Sequence, residues 1–238
     1  NGVIAASRNL GIKHAQGEYV AFLDSDDWWL SWKLECALKV LERGVDIVYH
    51  DLFLVTKREQ RTFWRRVRTS DVECPVFEHL LANGTTLNTS SVVVRRRVLQ
   101  EIGGFSEDQS LITAEDFDAW LRAAKVTDRF ERIPETLGYY WAGGGNLSDP
   151  QRTLQTLTTL EDRYADAIRR TAPGAHTSWI SYGKGRAHYR LGAQEMARKY
   201  LERVRWQHAP CSMSVKSWWM LLLMKFHFHP EKGFTPRT

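Results

Sequence analysis

"GEYVAFLDSDDWW", residues 17–29, sets a short apolar run against three carboxylates and two tryptophans. The run is β-rich and nearly unbroken, the pattern of a strand covered on both faces in a mainly parallel sheet. Asp24, Asp26 and Asp27 then stand at the C-terminal end of that strand, where open α/β sheets bind their ligands. Three clustered acids repel one another and need open water or a cation. Carboxylates in this spacing can hold a divalent cation whose remaining positions go to phosphate oxygens and water. A turn in which Asp and Ser bond nearby backbone accounts for the same residues, so the D-x-D spacing alone decides little.

Working outward, "VIAASRNLGIKHAQG" places Ile4, Arg8, Gly11, Ile12 and Ala15 on one helical face, with Gly17 as a stop. Downstream, Ser31 is expected to cap a helix that buries Leu34, Leu38 and Leu41 and ends at Gly44. "DIVYHDLFLV" reads as the next strand, and "SSVVVRR" as a third that leads into the short helix of "RRVLQEIGG". Between these two strands, residues 57–75 carry six basic side chains and little periodicity, as a solvated loop or ribbon would. In "AEDFDAWLRAA", Phe117, Trp120, Leu121 and Ala124 recur at i, i+3, i+4 and i+7, a core stripe. Glu115 and Asp116 open that helix. They are placed either to supply a general base or, with Thr113 as N-cap, to complete a capping-box-like arrangement.

A chain of 238 residues, 43% of them hydrophobic, can bury a sizeable core. Its 33 basic and 28 acidic residues give a net charge of +5, which suits anionic partners without selecting one. Three cysteines without a C-x-x-C spacing argue against a disulfide framework or a zinc site and for a reducing compartment. From residue 149 the pattern turns helical, so the expected division is an α/β domain over 1–148 and a helical extension over 149–238. "SYGKGRAHYRLG" and "AQEMARKYLERVR" pair like one tetratricopeptide-type hairpin. "SVKSWWMLLLMKFHF" is too short to span a bilayer and suits packing under the domain, with lying on a membrane surface as the alternative.

Four separate elements resemble the inverting family-2 glycosyltransferases of the GT-A fold: the A-S-R-N-L-G-I helix, the F-L-D-S-D-D strand end, the G-G-F loop and the E-D-F-D-A-W-L-R helix. The resemblance covers roughly residues 1–145. It implies a Rossmann-like, mostly parallel sheet flanked by helices, here followed by the helical extension. It implies that Asp24 and Asp26 bind Mn²⁺ or Mg²⁺ and the donor's diphosphate, with Asp27 in support. Asn1 and Arg8 would face the nucleotide, Gly104 and Phe105 would border the donor sugar, and Asp116, with Glu115 beside it, would be the catalytic base. The implied donor is a nucleotide-sugar, first of all a UDP-sugar, and the implied acceptor a glycan or lipid-linked saccharide. Bacterial envelope polysaccharide assembly is the expected setting, in the cytoplasm or peripherally at the inner face of the membrane.

The chain also departs from that pattern. Relatives begin with a further strand-helix-strand region that holds the nucleotide base, so this chain reads as N-terminally truncated and, alone, inactive. Where many relatives carry a Tyr-Arg-x-His-like stretch, "YYWAGGGNLS" offers Trp141 and glycines, which leaves a third metal ligand unassigned. His50, in an apolar strand, reads as a core residue. Trp28 and Trp29 suit either a sugar platform or burial. A non-catalytic scaffold on a degenerate transferase fold is the rival reading. A haloacid-dehalogenase-like phosphatase ranks below it, because Asp27-Trp28-Trp29 replaces the Thr or Val it wants. The basic run lacks a nucleic-acid reader motif, and no nucleic-acid partner is expected.

Overall fold

The computed structural model describes residues 4–84, 87–143, 149–171, 177–204, 209 and 211–225. The chain divides into two compact units, 1–147 and 148–238.

The first unit is α/β. Its elements are α1 Ile4–His14, β1 Tyr19–Ala21, β2 Trp28–Trp29, α2 Lys33–Leu41, β3 Ile47–Val55, β4 Arg66–Val67, α3 Val76–Asn83, β5 Val93–Arg95, α4 Arg96–Glu101, α5 Glu115–Ala124 and β6 Phe130–Trp141. The strands lie in the order β1-β5-β3-β6-β2, with β4 also beside β3. Of the pairings, β3–β6 is parallel, while β1–β5, β5–β3, β3–β4 and β6–β2 are antiparallel. The mostly parallel sheet expected from the apolar runs is thus a mixed one, flanked by helices as expected. β1 accounts for one of the four antiparallel pairings: it is three residues long, half-buried and paired with β5 alone among the described residues, and antiparallel ladders accept such short, one-sided strands. The basic run forms the ribbon that returns as β4 against Leu52 and Phe53.

α2 covers the sheet through Ala37 and Leu41, which pack on Val48, Val93, Ile133 and Leu137. Its buried stripe is therefore Lys33, Ala37 and Leu41, whereas Leu34 and Leu38 are exposed. Trp32, not Ser31, occupies the cap position, without a side-chain cap bond. α1 turns Ala5 inward, with Arg8, Asn9 and Ile12 half-buried beside it, and leaves Ile4 and Gly11 exposed. The expected stripe of α5 holds, with Phe117, Trp120, Leu121 and Ala124 all buried.

Asp46 closes the sheet edge opposite the Asp24 cluster. Fully buried, it accepts from Arg95 Nε at 3.0 Å, Arg97 at 2.7 Å, Arg129 Nε at 2.9 Å and the Thr127 hydroxyl at 2.8 Å. The strands β3, β5 and β6 are tied at one end by this single carboxylate, while Ser90, ahead of β5, and Trp141, at the end of β6, bond the backbone of Asp24 and the carboxylate of Asp27.

The second unit is helical: α6 Pro150–Arg163, α7 Ala165–Thr171, α8 Ser178–Arg190, α9 Gln194–Arg203 and α10 Cys211–Lys225. Asp149 caps α6 by accepting from the Arg152 N–H at 3.0 Å, with Pro150 in the first turn, where a missing N–H costs nothing. α8 and α9 form a hairpin with close contact. A Cβ on Gly185 would come within 2.8 Å of Leu201 Cγ, so the crossing needs a glycine there. Pro173 and Gly174, between α7 and α8, lie outside the described residues. Among those described, no helix is long and apolar enough to cross a membrane.

Candidate active site

Beyond β1 the chain passes Phe22, buried, and reaches Asp24, whose N–H donates to Ser90 Oγ at 3.1 Å. A tight turn follows, closed by Asp27 N–H to the Asp24 carbonyl at 3.1 Å, and it leaves Asp26 exposed. Asp27 is buried. Its Oδ1 accepts the Trp141 N–H at 2.8 Å, and its Oδ2 has no partner among the described residues. Burial raises the Asp27 carboxyl above its ordinary value, hydrogen bonding opposes this, and the charges of Asp26 and Asp24 add to it. Tyr140 faces the same cluster: burial, then Asp27, Asp26, Asp24 and Asp116, raise its hydroxyl's pKa.

The two tryptophans part company. Trp29 turns inward, donating from Nε1 to the Ser90 carbonyl at 2.7 Å, while Trp28 stays 41% exposed and stacks on Tyr139 at 5.1 Å.

The second acid pair meets the first across one arginine. Arg8 donates to Asp24 Oδ1 at 2.8 Å and to Glu115 Oε1 at 2.9 Å, with its side chain 12% exposed. Burial works against the guanidinium's charge, yet Asp24, Asp116 and Glu115 together hold its pKa above the ordinary value. Glu115 is the buried first residue of α5, and its Oε2 accepts the Thr113 N–H at 2.9 Å. That return requires Thr113 at φ 83, a conformation costly for a β-branched residue and one that gathers at functional sites. The cap residue is Ala114, with no side-chain cap bond, so the Thr113 capping arrangement does not form.

Asp116 takes the Thr89 hydroxyl on Oδ2 at 3.0 Å and the Phe117 N–H on Oδ1 at 2.7 Å. Burial, then repulsion from Glu115, raise its pKa to about 6 against the pull of Arg8 and these hydrogen bonds. Thr89 and Ser90, consecutive in a 3-10 turn capped by Asn88, therefore hold the two acid sites from one point. Sequence reading missed both. The signal available was the run of short hydroxyl side chains in "NTSS" ahead of a strand, which read as the strand's beginning.

Gly103, Gly104 and Phe105 are clamped from two sides. Asn9 receives the Phe105 N–H on Oδ1 at 2.7 Å and returns its amide to the Phe105 carbonyl at 2.9 Å, while Arg122 donates to the carbonyls of Ile102 and Gly104. Gly104 has φ 76, and a Cβ there would lie 2.5 Å from Asn9 Oδ1. Phe105 is buried edge-on against Phe22 and Trp120, with Arg8 over its ring at 5.3 Å. Gly104 and Phe105 thus form the floor beneath Arg8. Both are buried. Asn9→Ala, which strands a buried N–H and its carbonyl, is expected to cost about 2 kcal/mol in chemical denaturation.

The structure brings Arg8, Asp24, Glu115 and Asp116 together and sets Asp26 exposed at the rim. Asn1, Gly144, Gly145 and Asn146 lie outside the described residues. His50 is a core residue, 1% exposed, with Nδ1 2.8 Å from the Asp51 carbonyl. No group of three or more His, Cys, Asp or Glu among the described residues would enclose a cation. Asp24, half-buried, and Asp26, exposed, are hard oxygen donors at the rim, which fits a cation completed by a ligand's phosphates and water.

A mixed α/β sheet bearing a strand-end D-x-D and a helix-opening E-D pair is the build of a GT-A-like transferase domain. The chain belongs to glycosyltransferase-like family 2, whose model matches residues 3–170 and so runs past the α/β unit into α7. It is 30% identical to the amylovoran biosynthesis glycosyltransferase AmsB of Erwinia amylovora over 144 residues, 57% of this chain and 46% of that protein. An uncharacterized glycosyltransferase of Methanocaldococcus jannaschii is 28% identical over 141 residues, again 57% and 46%. One of Haemophilus influenzae is 26% identical over 169 residues, 69% and 54%. The chain spans about half the length of the curated relatives it matches.

Proposed function

We propose that the protein transfers a sugar from a nucleotide-diphosphate sugar to an acceptor hydroxyl with inversion, using Asp116 as the general base. The observation that carries this reading is Asp116 itself, a carboxyl tuned to about 6 and oriented by Thr89, within a network that Arg8 ties to Asp24. A base with that pKa is largely ionised at neutral pH and still basic enough to take a proton in the transition state. Asp116 would accept the acceptor's proton on the carboxylate as the oxygen attacks the anomeric carbon from the face opposite the leaving diphosphate. Arg8 pairs with both Glu115 and Asp24 and holds them in place, so that no side-chain reorganisation is needed when charge develops. Asp24 and Asp26 would hold Mn²⁺ or Mg²⁺, which when bound supplies charge neutralisation for the leaving diphosphate. The amylovoran relative's name supports a glycan acceptor and polysaccharide assembly in a bacterial envelope, and the family supports a nucleotide-sugar donor, with a UDP-sugar the first to try.

The test is nucleotide release by the full-length protein from a panel of nucleotide-sugars, with Mn²⁺, Mg²⁺ or a chelator. Release is expected to need the cation, and Asp26→Asn is expected to lower it at least about tenfold at limiting metal, with partial recovery as metal is raised. Release untouched by chelator and by Asp26→Asn would remove the cation from the mechanism. Absence of nucleotide binding with either metal would favour the scaffold reading.

A further inference from the structure

We propose that the outward face of α10 lies on an anionic lipid bilayer and anchors the helical unit there. α10 has two faces. Ser214, Ser217, Leu221 and Met224 point inward: the Ser217 hydroxyl donates to the Leu201 carbonyl at 2.8 Å, and Met224 joins the cluster of Tyr189, Ala197 and Leu201. Val215, Trp219 and Leu222 recur at i, i+4 and i+7 on the opposite side, with Trp218 at its margin. There Val215 is 48% exposed, Trp218 52% and Trp219 54%. Isolated exposed apolar residues need no explanation, but adjacent tryptophans on a continuous stripe do. Within the helical unit the inward contacts already fix the helix, and the outer stripe is exposed among the described residues of that unit.

Charge selects the occupant. Residues 148–238 hold fifteen Lys and Arg against seven Asp and Glu, while residues 1–147 hold eighteen against twenty-one. The whole basic surplus of the chain thus sits in the helical unit, and α10 carries Lys216 and Lys225 with no acid. A second copy would bring like charge against like charge, and one helical stripe is well short of the roughly 800 Å² per partner that a stable interface buries. At fifteen residues α10 is about 22 Å long, too short for a hydrocarbon core of about 30 Å. It can lie in the interface, where indoles settle at headgroup depth and lysine stems reach outward to phosphate.

Co-sedimentation of the full-length protein with vesicles decides the matter, using phosphatidylcholine alone or mixed with phosphatidylglycerol. Binding is expected to the mixed vesicles, to weaken as salt is raised, and to fall at least about tenfold in the Trp218→Ser/Trp219→Ser double variant with unchanged circular dichroism. Lys216→Glu, which leaves the apolar stripe intact, is expected to lower it less. No binding of the unaltered protein to mixed vesicles would overturn the proposal, as would equal binding by the double variant. Self-association that the double variant abolishes, without vesicle binding, would assign the stripe to a second copy. The proposal rests on the helical unit alone and does not depend on the transfer reaction.

Discussion

Asp116→Asn is expected to lower turnover about a thousandfold and, at pH 8, to make the protein more stable by about 1 to 2 kcal/mol. The two effects share one cause. The folded state holds this carboxyl at about 6, above the ordinary 3.8, because burial and Glu115 disfavour its charge. A carboxyl raised in this way adds stability fully present below its unfolded pKa and lost as pH rises through about 6. At pH 8 the charged form is a burden on the fold that the amide removes, while the amide oxygen can keep the Phe117 N–H and the amide nitrogen can donate to the Thr89 hydroxyl. Stability of the unaltered protein should therefore fall between about pH 4 and pH 6 by an amount the variant does not show. The rate should follow the opposite course. With the base required ionised, kcat/KM climbs as pH rises through about 6 and flattens above it. A helix-capping aspartate behaves otherwise, since its replacement costs stability and leaves chemistry alone. Destabilisation with retained turnover would return Asp116 to that lesser role.

What the sequence made legible was what local pattern controls. β3 is readable as a mainly apolar run because it is buried on both faces, and the stripe of α5 because burial there repeats with the helix period. Strand direction is not local. β1 looks like a buried parallel strand by composition, and only its pairing with β5, more than seventy residues away, makes it antiparallel. The acids were equally legible as residue types at strand and helix ends. Their joining was not. Arg8 reaches Asp24 sixteen residues away and Glu115 at a separation of 107, and no spacing rule connects those three positions. Thr89 and Ser90 were opaque for a different reason: hydroxyls hold the site by single hydrogen bonds, and such residues are common in every loop. The stripe of α2 differs from the expected one by phase: Leu34 and Leu38 share the helical period with Leu41, yet Lys33 and Ala37 take the buried places beside it.

Lys33→Met is expected to stabilise the protein by about 2 kcal/mol near pH 7, an outcome opposite in sign to most core substitutions. Lys33 is fully buried, its ammonium lies 3.5 Å from the Trp29 ring centre, and it finds no hydrogen-bond partner among the described residues. Burial lowers its pKa to about 7. A cation over an indole recovers on the order of 2 kcal/mol when desolvated, less than the cost of taking the charge out of water. His50 shares the region, also buried, with Nε2 unpartnered and its pKa pulled to about 4 by burial and further by Lys33. A lysine depressed in this way leaves full stability above its unfolded pKa, near 10.4, and takes it away as pH falls through about 7. Denaturation midpoints of the unaltered protein should therefore rise from pH 7 toward pH 10, and those of Lys33→Met should lose that rise. Methionine fills the same slender volume without the charge or an orphaned donor, and the core that α2 shares with β3 has no other use for an ammonium. If the substitution costs stability at pH 7 and leaves the pH slope unchanged, an internal water already satisfies Lys33, and the lysine belongs to the packing that holds Trp29 beneath the acid turn.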